Sequence, residues 1–193
     1  SMAQALTLKD AQIKRVKRYL KTSKHSVRDC TIFAFAFYTG LRAKELAALC
    51  VGDVYDTQMT VRDLFNLQRH QTKGARTRTV FVNQSLKSTL DQYKVQLINS
   101  EPSMPLFTSQ KGGHFSANTM CQLFLNVFSD CGLKGASSHT PRRTFITCLA
   151  NKGIGVRVLA ELAGHSSIAV TQRYIDVNDT QLAQAVELVK FNA

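Results

Sequence analysis

The residues most capable of chemistry lie in two arginine-bearing segments and in a tyrosine near the end of the chain. Thr39-Gly40-Leu41-Arg42-Ala43-Lys44-Glu45-Leu46 comes first and His139-Thr140-Pro141-Arg142-Arg143-Thr144 second. Gly164-His165-Ser166-Ser167 then runs on through Thr171 and Gln172 to Tyr174. A phenol is a usable nucleophile only when something takes its proton, because its unperturbed pKa lies near ~10. A guanidinium matches the non-bridging oxygens of a phosphodiester through its planar fork of donors, and an imidazole exchanges protons near neutral pH. Arginines, histidines and a tyrosine in this order point to attack on a phosphodiester whose free oxygens are clamped.

The neighbours of these residues sharpen the reading. Glu45 lies one helical turn past Arg42, on the same face, and is suited to orient its guanidinium. A solvated arginine is the bland alternative for Arg42, but a cation beginning a helix opposes the macrodipole, so an anionic partner explains it better. His139 precedes Arg142 by one turn; Arg143 is the alternative arginine, and only the H-x-x-R spacing favours Arg142. In isolation His165 reads as a histidine satisfying a helix end after Gly164. Tyr174 is singled out by context: Tyr19 and Tyr38 sit on apolar helical faces, and Tyr55 and Tyr93 have no motif beside them.

Taken together, these segments resemble the catalytic domain of the tyrosine recombinases, the group of phage and mobile-element integrases, from about Leu8 to Val189. The resemblance implies a site-specific recombinase or integrase that cleaves and rejoins DNA through a covalent 3′-phosphotyrosine on Tyr174, leaving a free 5′-hydroxyl. It assigns Arg42 and Arg142 to the phosphate clamp, with Glu45 in support. His139 exchanges a proton with the tyrosine or its phosphate, and His165 hydrogen-bonds the scissile phosphate. Lys73, in a hairpin turn, protonates the 5′-oxygen; its bland alternative is a solvated turn lysine. Arg69, Arg76, Arg78 and Arg143 are expected as DNA contacts. The covalent link conserves the bond energy, so no cofactor and no metal is expected, and the sequence shows no cluster of metal ligands. The family usually carries Leu where this chain has Pro141 and often His where it has Arg143; proline is tolerated in the first turn of a helix. The implied partner is double-stranded DNA, bound by a multimer, a tetramer, joined through the C-terminal helix. A type IB topoisomerase-like nicking-closing enzyme and a catalytically silent DNA-binding accessory protein are the rival readings.

The composition fits. The 193 residues carry 25 Lys and Arg against 13 Asp and Glu, a net charge of +12, which favours a polyanionic partner. The family's usual N-terminal helical domain, which closes around DNA, has no counterpart here, so weak duplex binding that falls steeply with salt is expected. Ser1 ahead of Met2 reads as a cloning remnant. The longest apolar run, Ile32 to Tyr38, is far short of the ~20 residues of a membrane span. Without a signal-peptide core the protein is expected in the cytoplasm, at the nucleoid. Cys30, Cys50, Cys121, Cys131 and Cys148 are scattered and read as reduced thiols.

The elements that must position these residues are mostly helical. Thr7 is the expected N-cap of a first helix with Asp10 at its third position. A second helix runs from about Val27 to Tyr38, with Gly40 at its left-handed end, and a short third begins near Arg42. Leu64–Leu67 and Thr77–Val82 read as strands flanking a turn at Thr72-Lys73-Gly74-Ala75. Helices return over Ser85–Ile98, Ser116–Cys131, Thr140–Asn151 and Val156–Ala163. After the tyrosine, Asn178 and Asp179 cap a last helix reaching Val189, with an apolar stripe of Leu182, Ala185, Val186 and Val189. The expected fold is α+β, mainly α, in one domain over residues 1–193: a tyrosine recombinase catalytic domain whose small antiparallel sheet carries the lysine hairpin.

Overall fold

An apolar run such as Ile32 to Tyr38 must be packed on most sides, and the fold is built around the helix that carries it. The structure, a computed structural model, describes residues 6–72 and 77–191. α1 (Asp10–Lys21) leads into α2 (Ser26–Thr39), whose Ile32, Phe33, Phe35 and Ala36 are buried. The short α3 (Ala43–Ala47) and α4 (Val51–Val54) follow, then the strands β1 (Leu64–Leu67) and β2 (Arg78–Phe81), α5 (Gln84–Tyr93) and α6 (Ala117–Asp130). α1, α5 and α7 (Thr140–Asn151) pack on α2, while α3 packs on α6. Phe33 meets Phe124 and Phe128 of α6, and Phe35 meets Phe65 of β1 and Phe107.

The strands pair antiparallel with Leu64 opposite Phe81 and Leu67 opposite Arg78. Alternation turns Phe65, Leu67, Val80 and Arg78 inward and leaves Leu64 and Phe81 exposed. An arginine therefore occupies a core-facing position of β2. Lys73 and Arg76, in the turn between the strands, lie outside the described residues.

α2 ends at Gly40, which adopts φ 69°, and a Cβ there would stand 2.6 Å from the ring of Phe145 on α7. Glycine lets α7 pass directly over the end of α2. α8 (Val156–Ala163) packs on α7 and β2 and ends at Gly164, also at φ 69°, where a Cβ would meet the Arg78 side chain at 2.7 Å. The five-residue α9 (Ile168–Gln172) packs on α8, with the Ser167 hydroxyl accepting from the Ala169 N–H. A second, smaller apolar cluster gathers here: Ile146, Leu159 and Ala163, fully buried, with Leu149, Ile154 and Tyr174 against them.

Three expected boundaries are corrected. Lys9, not Thr7, caps α1, and Asp10 is its first residue. The Leu8 N–H donates to Thr144 Oγ1 of α7 at 3.1 Å, which holds the preceding chain outside the helix. The helix expected over Ser85–Ile98 ends at Tyr93, whose hydroxyl is tied to the Leu106 carbonyl at 2.8 Å, and tightens into a 3-10 turn over Lys94–Leu97. The last helix, α10 (Asp179–Val186), stops short of Val189; Asn178 caps it, and Leu182, Ala185, Val186 and Val189 are all exposed. Among the described residues no helix is long and apolar enough to cross a membrane.

Candidate active site

The site begins with a buried carboxylate. Glu45 is 1% exposed, and its Oε1 accepts from the Arg42 backbone N–H at 2.8 Å and from Arg78 Nη1 at 3.1 Å. Its Oε2 faces Arg42 Nη1 at 3.8 Å. Glu45 thus fixes the entry of α3 and places the Arg42 guanidinium at the mouth of a cleft of about 330 Å³. Arg42, Glu45, Thr72, Thr77, Arg78 and His165 are among its lining residues. Thr72 and Thr77, the described residues on either side of Lys73 in the sequence, both line this cleft.

Arg78, expected as a DNA contact, is instead 8% exposed and turned inward. Besides Glu45 it donates through Nη2 to the carbonyls of Thr39, at 3.2 Å, and Leu162, at 2.7 Å. These carbonyls belong to the last turns of α2 and α8, where helix dipoles favour a cation. Its burial is at odds with the expected DNA contact, because both terminal nitrogens already donate to protein groups. Burial pulls its pKa below the usual arginine value, opposed by Glu45. The sequence did hold a signal, since Arg78 shares the parity of the inward-facing Val80.

Arg142, on α7, is 6% exposed and donates through Nη1 to the Gly40 carbonyl at 2.9 Å. Its Nη2 is buried and has no hydrogen-bond partner. Burial, then repulsion from Arg42 and Arg78, pushes its pKa down to about 9, with Glu45 and Tyr174 pulling the other way. Clustered guanidinia, with uncommitted buried donors at Arg142 Nη2 and Arg78 Nε, are suited to hold an oxyanion.

His165 follows Gly164, and its Nδ1 lies 2.7 Å from the hydroxyl of the fully buried Thr171. Thr171 was seen only as part of the spacing before the tyrosine; its role in fixing the imidazole is a structural finding. Burial, followed by the fields of Arg142, Arg42 and Arg78, drives the His165 pKa down to about 4, so the ring is neutral at physiological pH.

Tyr174 stacks on His165, with ring centroids 6.0 Å apart and planes inclined by 22°. The Arg143 guanidinium lies over the same phenol at 5.2 Å from its centroid. Arg143, expected at the DNA surface, is therefore half-buried against the tyrosine. His139 is exposed at the N-cap of α7, and Arg69 is exposed in the 3-10 turn at the end of β1. The structure thus brings together Arg42, Glu45, Arg142, His165 and Tyr174. It keeps Arg69 at the surface and leaves Lys73 and Arg76 outside the described residues. The arrangement is suited to hold an oxyanion, with a phenol at its edge.

The comparisons with known proteins agree. The phage integrase family matches residues 7–181. The tyrosine recombinase XerC of Syntrophus aciditrophicus is 30% identical over 165 residues, covering 81% of this chain and 51% of that protein. XerD of Pseudomonas putida is 31% identical over 162 residues, covering 81% and 52%. The chain spans about half the length of these curated relatives. In structure it is similar to XerA recombinase, with a TM-score of 0.73 at 23% identity over 98% of this chain and 68% of that one. It is likewise similar to the Tn1549 transposon integrase in complex with circular intermediate DNA, with a TM-score of 0.73 at 20% identity over 98% and 69%. The fold is that of a tyrosine recombinase catalytic domain. The chain belongs to the phage integrase family.

A pH dependence follows from His165. The unfolded imidazole titrates near ~6.5 and the folded one near about 4, so between these values the unfolded chain binds more protons. The contribution to stability is fully present above ~6.5 and is lost as pH falls toward 4. Urea unfolding at several pH values checks this: the wild-type protein should lose more stability on acidification than His165→Gln. Parallel curves would show that the imidazole is not held neutral by the fold.

Proposed function

We propose that this chain is the catalytic domain of a site-specific DNA recombinase or integrase, acting on double-stranded DNA through a covalent 3′-phosphotyrosine. The observation that carries the reading is the Tyr174 phenol stacked on His165, beside an arginine cluster whose Arg142 Nη2 donor is uncommitted. With a DNA phosphate at that cluster, Arg42 and Arg142 hold the non-bridging oxygens and oppose charge building on them. If Thr171 donates its hydroxyl proton to Nδ1, His165 presents an Nε2–H as a further donor. The phenolic oxygen bonds to phosphorus as the bond to the 5′-oxygen breaks; the phenol proton passes to His139, and Lys73 supplies the proton that the 5′-oxygen takes. Attack by another strand's 5′-hydroxyl reverses these steps, so rejoining draws on no external energy source.

The relatives are recombinases, and the solved neighbours include a transposon integrase and a lambda integrase dimer, each bound to DNA. This supports strand exchange for a mobile element over a nicking-closing enzyme or a silent accessory protein, and work at the nucleoid. The exposed stripe of α10, with Leu182 at 54% and Val186 at 69% exposure, supports assembly on DNA as a tetramer in which this helix docks on a neighbouring copy.

Two experiments test the reading. Tyr174→Phe should abolish the covalent adduct with a nicked suicide duplex while binding that duplex nearly as well as wild type; an adduct surviving in this variant would reassign the nucleophile. A chain ending at Asn178 should keep its melting temperature within a few degrees and form smaller complexes on DNA. A large fall in melting temperature with complex size unchanged would instead place α10 on its own domain.

A further inference from the structure

Arg143 and Arg142 are adjacent on α7, so their side chains leave the helix roughly 100° apart. Arg142 reaches back to the Gly40 carbonyl, and Arg143 reaches the tyrosine. Tyr174 has few local restraints. It follows a five-residue helix, too short to be stable alone, and the chain after it carries the exposed residues Asp176 and Val177. What fixes the phenol is tertiary: the small apolar cluster of Ile146, Leu159 and Ala163 beneath it, the His165 ring on it, and the Arg143 guanidinium over it. Arg143 is itself half-buried, with its Nε shielded and without a hydrogen-bond partner. A half-buried guanidinium lying over a ring is placed to act on that ring.

We propose that Arg143 is a positioning residue for the nucleophile: its cation over the Tyr174 ring holds the phenol of the same chain at the arginine cluster, ready for attack. Because α7 carries Arg142 as well, one rigid helix sets the clamp and the nucleophile relative to each other. The inference rests on the recombinase reading above and gives Arg143 a role distinct from DNA contact. A cation over an aromatic face shifts occupancy by roughly 2- to 30-fold, depending on how far it is desolvated. The effect on cleavage should fall in that range, well below the loss of a clamp arginine.

The test uses the full chain as wild type, Arg143→Ala, Arg143→Gln and Arg143→Lys, with two nicked suicide duplexes. One carries an ordinary phosphodiester; the other carries a 5′-bridging sulfur, whose departure needs no proton donor. Single-turnover adduct formation should slow by roughly 3- to 30-fold in the Ala and Gln variants on both duplexes. The Lys variant, which keeps the cation, should stay close to wild type. Duplex affinity and its salt slope, measured in a Tyr174→Phe background, should be unchanged by Arg143→Gln. A phosphate contact behaves differently: its loss weakens binding and lowers the salt slope by about 1, and that result would overturn the inference. So would wild-type cleavage by the Gln variant, or rescue by the bridging sulfur, which would assign Arg143 to leaving-group departure. Failure of the wild-type protein itself to form an adduct would instead sink the recombinase reading.

Discussion

The site depends on one buried guanidinium. Arg78 joins Glu45 of α3 to the final turns of α2 and α8. Two helix C-termini converge with their carbonyls unsatisfied by their own helices, and a cation between them answers both. Burying an ion pair is expensive unless the remaining hydrogen-bonding groups are matched; here both terminal nitrogens of Arg78 are used and only Nε is left over. From this junction the rest is fixed. Glu45 holds the entry of α3 and so Arg42. The Gly40 carbonyl, next to Thr39, receives Arg142. Leu162 stands two residues before Gly164, where a side chain would collide with Arg78, so the turn that presents His165 is moulded on the same guanidinium.

The electrostatic result is a cluster with too little negative charge. Glu45 is the carboxylate that offsets, at Arg142, the repulsion of Arg42 and Arg78. Burial first, and this repulsion second, depress the pKa values of Arg142 and His165, to about 9 and about 4. An entering phosphate relieves this repulsion at the point where transition-state charge develops, and the donors are already in place, so little reorganisation is needed. A neutral His165 suits that role as a hydrogen-bond donor that adds no further positive charge.

Much of this was legible in the sequence. Glycines at 40 and 164 marked helix ends correctly, both adopting positive φ. The order and spacing of the arginine, histidine and tyrosine motifs identified side chains that the fold does gather. What escaped was set by tertiary contacts. Thr7 has the chemistry of an N-cap, but the bond from Leu8 to Thr144, far away in the chain, moves the helix start. The H-x-x-R spacing favoured Arg142 over Arg143, but that Arg143 lies over Tyr174 depends on which face of α7 meets the tyrosine. Arg78 stood among basic residues near a turn and was expected to contact DNA; its alternation with Val80 was the local hint, and no local pattern reveals that two helix ends converge on it.

The claim that the Arg78–Glu45 pair organises the site is tested most directly by a double-mutant cycle. Arg78→Met, Glu45→Gln and the double variant would be compared in single-turnover adduct formation on a nicked duplex, with urea unfolding in parallel. The two residues share one bond and several neighbours, so each single change should leave a buried polar group unmatched. The double variant should then be little worse than the poorer single, giving a coupling energy above ~1 kcal/mol. Losses that add to within ~0.5 kcal/mol would mean the two residues act independently, and the account of how the cleft is assembled would be contradicted.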